Sequence, residues 1–542
     1  MASSPSFFIT LIILSFLSFC SVHNALVSSF DDDGFSGHQS SGCSSSSSSV
    51  VPSSTEFLTS VRSSIEQIRD VTSLVSKYLN GFDDFRLTNA INDCVDLLDF
   101  SADELSWTAS ATENLNGKDN STGNRKSDLK AWLSAALGNQ ETCIDGFEGT
   151  DSFIKDIIGT SLQQVTSLVK NVLGMVCDQV PSPSSSPAKP SPGHPSRKLM
   201  RADVTNFPSW MKAADRRLLQ ASASGVSANA VVAADGSGTH TSVMDAVLAS
   251  PDHGTSRYVI YVKRGVYKEN VEIKKKKWNL MMIGDGMGAT VISGNRNFVD
   301  GWTTFRSATF AVAGRGFIAR DITFENTAGP EKHQAVALRS DSDLSAFFRC
   351  GIHGYQDTLY AHSLRQFYRE CQITGTVDFI FGNGAVILQN CQILAKKGLP
   401  NQKNTITAQG RKDPNQNTGF SIQFSNISAD SDLLALGNST QTYLGRPWKQ
   451  YSRTVFMKSY MSSMIRPEGW LEWQGDFALD TLYYGEYMNY GPGAGLDSRV
   501  KWPGYHPIYN STQANYFSVA QFLDGNLWLP STGVKYTAGL EI

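Results

Sequence analysis

Residues 354–383 read GYQDTLYAHSLRQFYRECQITGTVDFIFGN, and this segment is the most informative part of the chain. It sets two aspartates, Asp357 and Asp378, among aromatic, glycine and β-branched residues. Carboxylates in poorly solvated surroundings must be ion-paired, hydrogen-bonded or shifted in pKa, and two that lie close together cannot both ionise at their usual pKa values. The stretch therefore offers one carboxyl group suited to donate a proton and another suited to act as a nucleophile.

A local pattern repeats around this stretch. It occurs at Cys350-Gly-Ile352, Cys371-Gln-Ile373, Cys391-Gln-Ile393 and Ser425-Asn-Ile427, and the first three copies begin 21 (371 − 350) and 20 (391 − 371) residues apart. A constant step is typical of stacked coils, as in a right-handed parallel β-helix, where residues one period apart stand above each other at about 4.8 Å. Asp357 and Asp378 are also 21 residues apart (378 − 357), so we expect them on adjacent coils. Two stacked structural aspartates at turns remain the alternative.

The region 221–542 consists of short β-branched and aromatic runs separated by Gly and Asn, which is typical of strands. The clearest runs are Tyr258–Val262, Met281–Ile283, Ile318–Glu325, Phe347–Cys350, Phe379–Phe381, Ala385–Leu388, Thr405–Ala408 and Arg453–Met457. We predict an all-β right-handed parallel β-helix here. Stacked coils would also bring Cys350 and Cys371 within reach of a disulfide.

The region 55–180 shows four apolar stripes at helical spacing. They are Leu58, Val61, Ile65, Ile68 and Val75; Leu87, Ile91, Val95 and Leu98; Leu133, Leu137, Ile144 and Phe147; and Ile154, Ile158, Leu162, Val165, Val169, Val172 and Val176. Because these apolar faces need one another, we predict an all-α four-helix bundle. Cys94 and Cys143 could link the second helix to the third.

The chain has 542 residues and a formal net charge of −3, which is enough length for several domains and gives no indication of a nucleic-acid partner. Its N-terminus carries the apolar run FFITLIILSFLSFC from Phe7 to Cys20, which predicts a signal peptide over residues 1–25. The usual basic region before the run is missing, and a signal anchor is the rival interpretation. A Ser-rich segment, predicted to be disordered, fills residues 26–54.

A Pro/Ser-rich linker is predicted over residues 181–220. It carries two basic clusters, Arg197–Met200 and Asp215–Leu219, which are either processing sites or solvated charge runs. A secreted chain can form disulfides and carry glycans, and four sequons are candidate acceptors: Asn120, Asn426, Asn438 and Asn510.

At the aspartate-bearing stretch the chain closely resembles the plant pectin methylesterases. The likeness extends over residues 225–540 and includes Gly265–Glu269 (GVYKE), Gln334–Leu338 (QAVAL), Gly354–Asp357 (GYQD), Gly375–Asn383 (GTVDFIFGN) and Leu444–Lys449 (LGRPWK), in family order. Residues 55–180 resemble the invertase and pectin methylesterase inhibitor domain that precedes many such enzymes as a pro-region. The resemblance implies a secreted cell-wall enzyme that releases methanol from methyl-esterified homogalacturonan without a metal or organic cofactor.

The resemblance also implies roles for single residues. Asp378 is implied as the nucleophile, Asp357 as the general acid and then base, Gln334 and Gln356 as oxyanion donors, and Arg446 as the partner of the nucleophile. Thr304, Phe305, Trp448 and Trp470, together with Gln334 and Arg446, match substrate-binding positions. Thr323 and Ser425 replace cysteines of many relatives, so Cys350–Cys371 becomes the expected disulfide and Cys391 is left free. The pairing of Cys43 and Cys177 stays open.

Two other functions compete with the esterase. A polysaccharide lyase or hydrolase could use the same fold, although a lyase typically needs a calcium-binding acidic cluster and a basic residue as the base. Alternatively, the helical region is an independent inhibitor or targeting module and the β-region an inactive binding surface. The partners expected for the esterase are pectin, a protein inhibitor and a processing protease, and the protein is expected to be a monomer.

Overall fold

The computed structural model describes residues 55–79, 81–114, 121–150, 153–176, 227–435 and 440–541. The predicted signal peptide, the Ser-rich segment, the linker with its basic clusters, the sequons at Asn120 and Asn438, and Cys43 and Cys177 lie outside these residues. Asn426 and Asn510 are exposed, and their glycosylation stays a prediction. Within the described part of the chain, no helix combines the length and apolar character needed to cross a membrane.

The N-terminal described residues form the predicted bundle. Its helices are α1 Thr55–Ser76, α2 Phe85–Glu113, α3 Arg125–Asp145 and α4 Ile154–Met175. The side chain of Asp84 caps α2 by accepting a hydrogen bond from the Leu87 backbone N–H at 2.9 Å, and Asn124 caps α3 in the same way. Apolar residues of all four helices form one buried core. The predicted disulfide between Cys94 and Cys143 is confirmed and joins α2 to α3.

The rest of the described chain coils into three parallel sheets. The eleven-stranded sheet contains β1 Ala230–Val232, β2 Tyr258–Val262, β5 Leu280–Gly284, β8 Ile318–Arg320, β11 Ser345–Phe348, β14 Arg365–Arg369, β17 Ala385–Gln389, β20 Gly419–Gln423, β23 Arg453–Met457, β25 Tyr483–Tyr487 and β26 Tyr505–Pro507. The seven-stranded sheet contains β4 Val271–Ile273, β7 Phe310–Val312, β10 Leu338–Ser340, β13 Leu359–Tyr360, β16 Ile380–Gly382, β19 Asn404–Gln409 and β22 Thr442–Gly445. The eight-stranded sheet contains β3 Gly265–Lys268, β6 Thr290–Gly294, β9 Thr323–Asn326, β12 Gly351–His353, β15 Gln372–Gly375, β18 Gln392–Ala395, β21 Asn426–Ala429 and β24 Tyr460–Met461.

The repeat seen in the sequence sets the register of these coils. Ile352 pairs with Ile373, Ile373 with Ile393, and Ile393 with Ile427, so equivalent residues stack in a buried column. Short helices decorate the coils: α5 Val243–Leu248, α6 Ser431–Leu434, α7 Ser511–Asn515, α8 Val519–Phe522 and α9 Gly525–Thr532. The last of these pack Trp528 and Leu529 against the eleven-stranded sheet. The prediction of a parallel β-helix preceded by a helical bundle is confirmed.

The predicted disulfide between Cys350 and Cys371 is wrong, because both are free buried thiols, as is Cys391. Each thiol instead contacts a backbone carbonyl, such as that of Phe347 for Cys371 at 3.4 Å. Stacked residues point the same way from coils about 4.8 Å apart, whereas a disulfide needs Cβ atoms within about 3.5–4.5 Å and side chains that turn toward each other. Coil stacking therefore brings these thiols near one another without the geometry of a disulfide.

Candidate active site

The two aspartates lie one above the other at the edge of the seven-stranded sheet. Leu359 of β13 pairs with Ile380 of β16. Asp357 lies two residues before Leu359, and Asp378 lies two residues before Ile380. Asp357 and Asp378 adopt left-handed backbone conformations, with φ of 60° and 51°, which aspartate tolerates better than most residues. Both line one cavity of about 280 Å³. The spacing of 21 residues thus places them on adjacent coils, as predicted.

Asp378 is held by a cation and a hydroxyl. Arg446, which follows β22, donates from Nε to Asp378 Oδ1 at 2.9 Å and from Nη2 to Oδ2 at 2.6 Å. Thr405 at the start of β19 donates its hydroxyl to Oδ1 at 2.6 Å. These bonds fix the orientation of the carboxyl group, so Asp378 is suited to attack an electrophile.

Asp357 meets the opposite electrostatic conditions. Burial raises its pKa well above the usual value, the negative charge of Asp378 raises the pKa further, and Arg446 offsets part of this effect. Glu148 of the helical bundle also raises the pKa of Asp357. A carboxyl group with such a raised pKa keeps its proton at pH values where an ordinary aspartate is ionised, and can donate it to a leaving group.

Most of the predicted site residues share this cavity. Gln334, Gln356, Arg446, Thr304, Phe305 and Trp448 line it together with the two aspartates. Gln356 directly precedes Asp357. Gln334 lies on the neighbouring coil, because the backbone N–H of the next residue, Ala335, donates a hydrogen bond to the Gln356 carbonyl. The amide side chains can therefore supply neutral hydrogen-bond donors beside the carboxylate pair. The described residues contain no group of three or more His, Cys, Asp or Glu that could hold a metal ion.

The placement of Trp470 in the cavity is wrong. Its ring is 1% exposed, stacks on Tyr484 with centroids 4.1 Å apart, and donates its indole N–H to Glu486 at 3.2 Å. The tryptophan that lines the cavity is Trp473, whose ring lies 4.3 Å from the Arg446 guanidinium carbon. The motif WLEW offers two tryptophans three residues apart, and no periodicity in the sequence distinguishes the buried Trp470 from the partly buried Trp473.

Sequence reasoning also missed Phe381 and Tyr360, which line the cavity as a stacked pair with centroids 4.1 Å apart. Phe381 lies inside the quoted GTVDFIFGN motif, so the signal for it was present. The partner Tyr360 stands directly above it because β13 pairs in register with β16. With Trp448 and Trp473 these rings give the cavity an apolar wall that suits the faces of sugar rings.

The helical bundle supplies part of the wall of this cavity. Thr142 and Asp145 of α3, with Gly146 and Glu148 just after it, line the same space as the aspartates. Bundle apolar residues and the cleft residues Phe305, Tyr360, Phe381 and Trp448 form one continuous cluster.

Polar contacts hold the bundle in this position. Asp128 of α3 pairs with Arg365 at 2.6 Å, with both side chains at most 1% exposed, and Arg365 also pairs with Asp343. Asp145 contacts Lys449 at 2.8 Å, and Glu141 pairs with Lys412. Removing one partner of a buried ion pair is strongly destabilising, because the other partner is left as an uncompensated buried charge.

Two family models match the chain. The model "Pectinesterase" matches residues 229–526, and "Plant invertase/pectin methylesterase inhibitor" matches residues 37–175. The pectinesterase/pectinesterase inhibitor PPE8B of Prunus persica is 67% identical over 487 residues, which cover 90% of each chain. Pectinesterase 2.2 of Solanum lycopersicum is 50% identical over 477 residues, or 88% of this chain and 83% of its own.

Among solved structures, the pectin methylesterase from carrot is 57% identical with a TM-score of 0.58, and the match covers 58% of this chain and 99% of the carrot chain. A parallel β-helix with an aromatic-lined cleft, taken together with these matches, defines a carbohydrate esterase. The chain belongs to the pectinesterase family and carries an inhibitor-family domain before the enzyme domain. Its reaction is the hydrolysis of galacturonate methyl esters in pectin, which yields methanol and free carboxylates.

Proposed function

We propose that Asp378 is the nucleophile of this hydrolysis and Asp357 its general acid and base. The Asp378 carboxylate attacks the ester carbonyl carbon, and the resulting oxyanion accepts hydrogen bonds from the Gln334 and Gln356 side chains. The carbon–methoxy bond breaks as Asp357 gives its proton to the departing methanol, which leaves an acyl-enzyme anhydride. Asp357, now ionised, takes a proton from water, and the hydroxide adds to the acyl carbon. The bond from this carbon to the Asp378 oxygen breaks, which restores the Asp378 carboxylate and frees galacturonic acid, and this acid loses its proton to solvent.

This proposal rests on the different surroundings of the two stacked carboxyl groups. Arg446 and Thr405 bond to Asp378, whereas burial and the charge of Asp378 raise the pKa of Asp357. Thr304, Phe305 and Trp448 are proposed to hold the sugar, because they line the same cavity.

The helical bundle is proposed to act as an intramolecular inhibitor. Thr142, Asp145 and Glu148 occupy the space above the aspartates through which a polysaccharide would enter. Release would then need cleavage by a protease in the linker, and the basic clusters at 197–200 and 215–219 are the proposed sites. A secreted, monomeric enzyme acting in the cell wall completes the proposal, on the basis of the apolar N-terminal run and the kinship with plant pectinesterases.

Replacing Asp378 by Asn tests the mechanism. The chain is cleaved in the linker, the bundle is removed, and methanol release from highly methylated pectin is measured. We expect Asp378→Asn to lose at least about 10³-fold in kcat, because the amide is a far weaker nucleophile. Asp480→Asn, on an exposed residue of the same domain, is the matched control and should retain full activity. Equal turnover by the two variants would refute the assignment of the nucleophile.

A further inference from the structure

One face of α2 carries a row of four carboxylates that meets two cations of the β-helix. The row is Asp93, Asp96, Asp99 and Asp103, and spacings of three and four residues place them on one face of the helix. Arg306 contacts Asp93 at 2.6 Å and Asp96 at 2.7 Å. Lys275 contacts Asp99 and Asp103, each at 2.7 Å. Each cation is thus shared by two consecutive carboxylates of the row.

These two cations depend on the bundle for their partners. Among the described residues, the carboxylates at ion-pair distance from Arg306 and Lys275 all belong to α2. The nearby β-helix carboxylate, Glu272, pairs instead with Lys274 at 2.7 Å. Removal of the bundle would therefore take away these ion-pair partners. The same region also contains the cations Lys274, Lys276 and Arg296 and the acids Glu272 and Asp252.

Arg306 lies at the same edge of the seven-stranded sheet as the catalytic aspartates, and Lys275 lies at the opposite edge. The seven-stranded sheet runs in the order β16, β13, β10, β7, β4. Arg306 comes just before β7 and directly after Phe305, which lines the catalytic cavity, and Lys275 comes just after β4. With strands about 4.8 Å apart, β7 and β4 lie about 10 and 14 Å from β13, on which Asp357 is positioned. A chain that leaves the catalytic pair and crosses these strands obliquely, as α2 does between its contacts with the two cations, would reach Arg306 and then Lys275.

We infer that Arg306 and Lys275 form a binding track for free carboxylates of de-esterified galacturonate residues, and that α2 occupies this track in the full chain as a mimic of the polyanion. The inference rests on the proposed function, since such carboxylates are what the catalytic pair produces. The aspartates of α2 stand in for the uronate groups: they are carboxylates in a row, and the contacts from Asp93/Asp96 to Asp99/Asp103 extend about 10 Å along the helix. A methyl ester, which has no charge, would gain little from this track.

The track makes substrate affinity depend on the ester pattern. A pectin chain with free carboxylates on the β7 side of the scissile ester gains two ion pairs, and a fully esterified chain gains none. Each pair lies at the surface once the bundle has left, so its contribution is modest and falls with ionic strength.

Binding of fully de-esterified hexagalacturonate tests the track without any catalysis. The chain is cleaved in the linker, the bundle is removed, and Kd is measured by calorimetry at low salt. The match of 99% of the carrot chain to 58% of this one supports a β-helix domain that folds alone, and thermal unfolding of each variant checks this. We expect Lys275→Gln and Arg306→Gln each to raise Kd about three- to tenfold. Lys275→Arg should keep Kd within about twofold, because the charge is retained.

Lys268→Gln is the matched control, since Lys268 is an exposed lysine on the eight-stranded sheet. The inference is overturned if Lys275→Gln and Lys268→Gln bind hexagalacturonate equally, or if wild-type affinity does not fall with salt. Kinetics add a second readout: the ratio of KM on sparsely methylated pectin to KM on fully methylated pectin should rise in Lys275→Gln and not in the control. A domain that binds hexagalacturonate through Lys275 but releases no methanol would contradict the proposed function and leave the track standing.

In the cleaved chain with both parts still associated, hexagalacturonate should compete with α2. Gel filtration should show release of the bundle by hexagalacturonate at concentrations where its fully methylated form, at equal ionic strength, releases none. Equal release by both forms would overturn the mimicry.

Discussion

Asp357 and Asp378 carry the same side chain on stacked coils, and their neighbours give them different chemistry. Arg446 and Thr405 bond to Asp378. Burial dominates at Asp357 and raises its pKa. The proposed division of labour therefore depends on contacts from β19 and from the end of β22, far along the chain from either aspartate.

Replacing either glutamine should lower turnover more than binding. Gln334 and Gln356 are placed to donate to an oxyanion that exists only in the transition state. We expect Gln356→Ala to reduce kcat about 10²–10³-fold with a much smaller change in KM. Steady-state methanol release by the separated β-helix domain measures both constants. Gln392→Ala, an exposed glutamine on β18, should behave as wild type, and a rise in KM alone for Gln356→Ala would argue against the oxyanion role.

At the level of structural elements, the three cysteines on successive coils should react as separate thiols. Cys350, Cys371 and Cys391 are free and at most 1% exposed, and burial raises the pKa of the Cys371 and Cys391 thiols well above the usual value. We expect no alkylation by iodoacetamide in the native protein and alkylation of all three after unfolding without a reductant. Cys94 and Cys143 should need reduction first. A peptide linking Cys350 to Cys371 in the mass spectrum would contradict the structure.

Helix α2 should make attachment of the bundle depend on pH through Asp93. Burial raises the pKa of attached Asp93 to about 6, although Arg306 and Thr303 lower it. Release removes the burial that the β-helix supplies, so it should lower this pKa toward the ordinary 3.8. Between about pH 3.8 and pH 6, Asp93 therefore binds a proton more strongly in the attached bundle than in the released one. Attachment is strongest below about pH 3.8 and weakens until about pH 6, by at most about 3 kcal/mol, or about 160-fold in Kd.

Titration of the cleaved chain checks this pH dependence. The Kd between bundle and β-helix is measured from pH 4 to pH 7 for the wild type, Asp93→Asn and Asp103→Asn. Asp93→Asn should flatten the profile, because its amide does not titrate. Asp103→Asn, which removes an exposed carboxylate from the same row, should keep the slope. An unchanged slope in Asp93→Asn would assign the pH dependence to another group.

For the whole molecule, the sequence predicts the features that repeat along the chain. It does not predict the contacts between residues that are distant in sequence and meet only after folding. The step of 20 or 21 residues predicts the stacking of Asp357 on Asp378, because coil geometry is periodic. The contacts of Arg306 with Asp93 and of Arg365 with Asp128 join two domains, and no local pattern encodes them. Trp470 and Trp473 differ only in packing, and the choice between them follows from the neighbouring Tyr484.

Cleavage of the linker alone should leave the enzyme covered. The bundle is held by contacts that do not involve the linker: the pair Asp128–Arg365, the hydrogen bond between Thr142 and His362 at 2.8 Å, and an apolar cluster shared with the cleft. Cutting the chain removes only the high effective concentration of the tethered bundle, so the cut parts should stay associated at micromolar concentration. Methanol release should therefore follow dissociation, on dilution or at a pH above about 6, and should not follow the cut itself. Gel filtration and methanol release measured on the same cleaved sample compare the two events, and full activity in a still-associated complex would refute the role of the bundle as a cover.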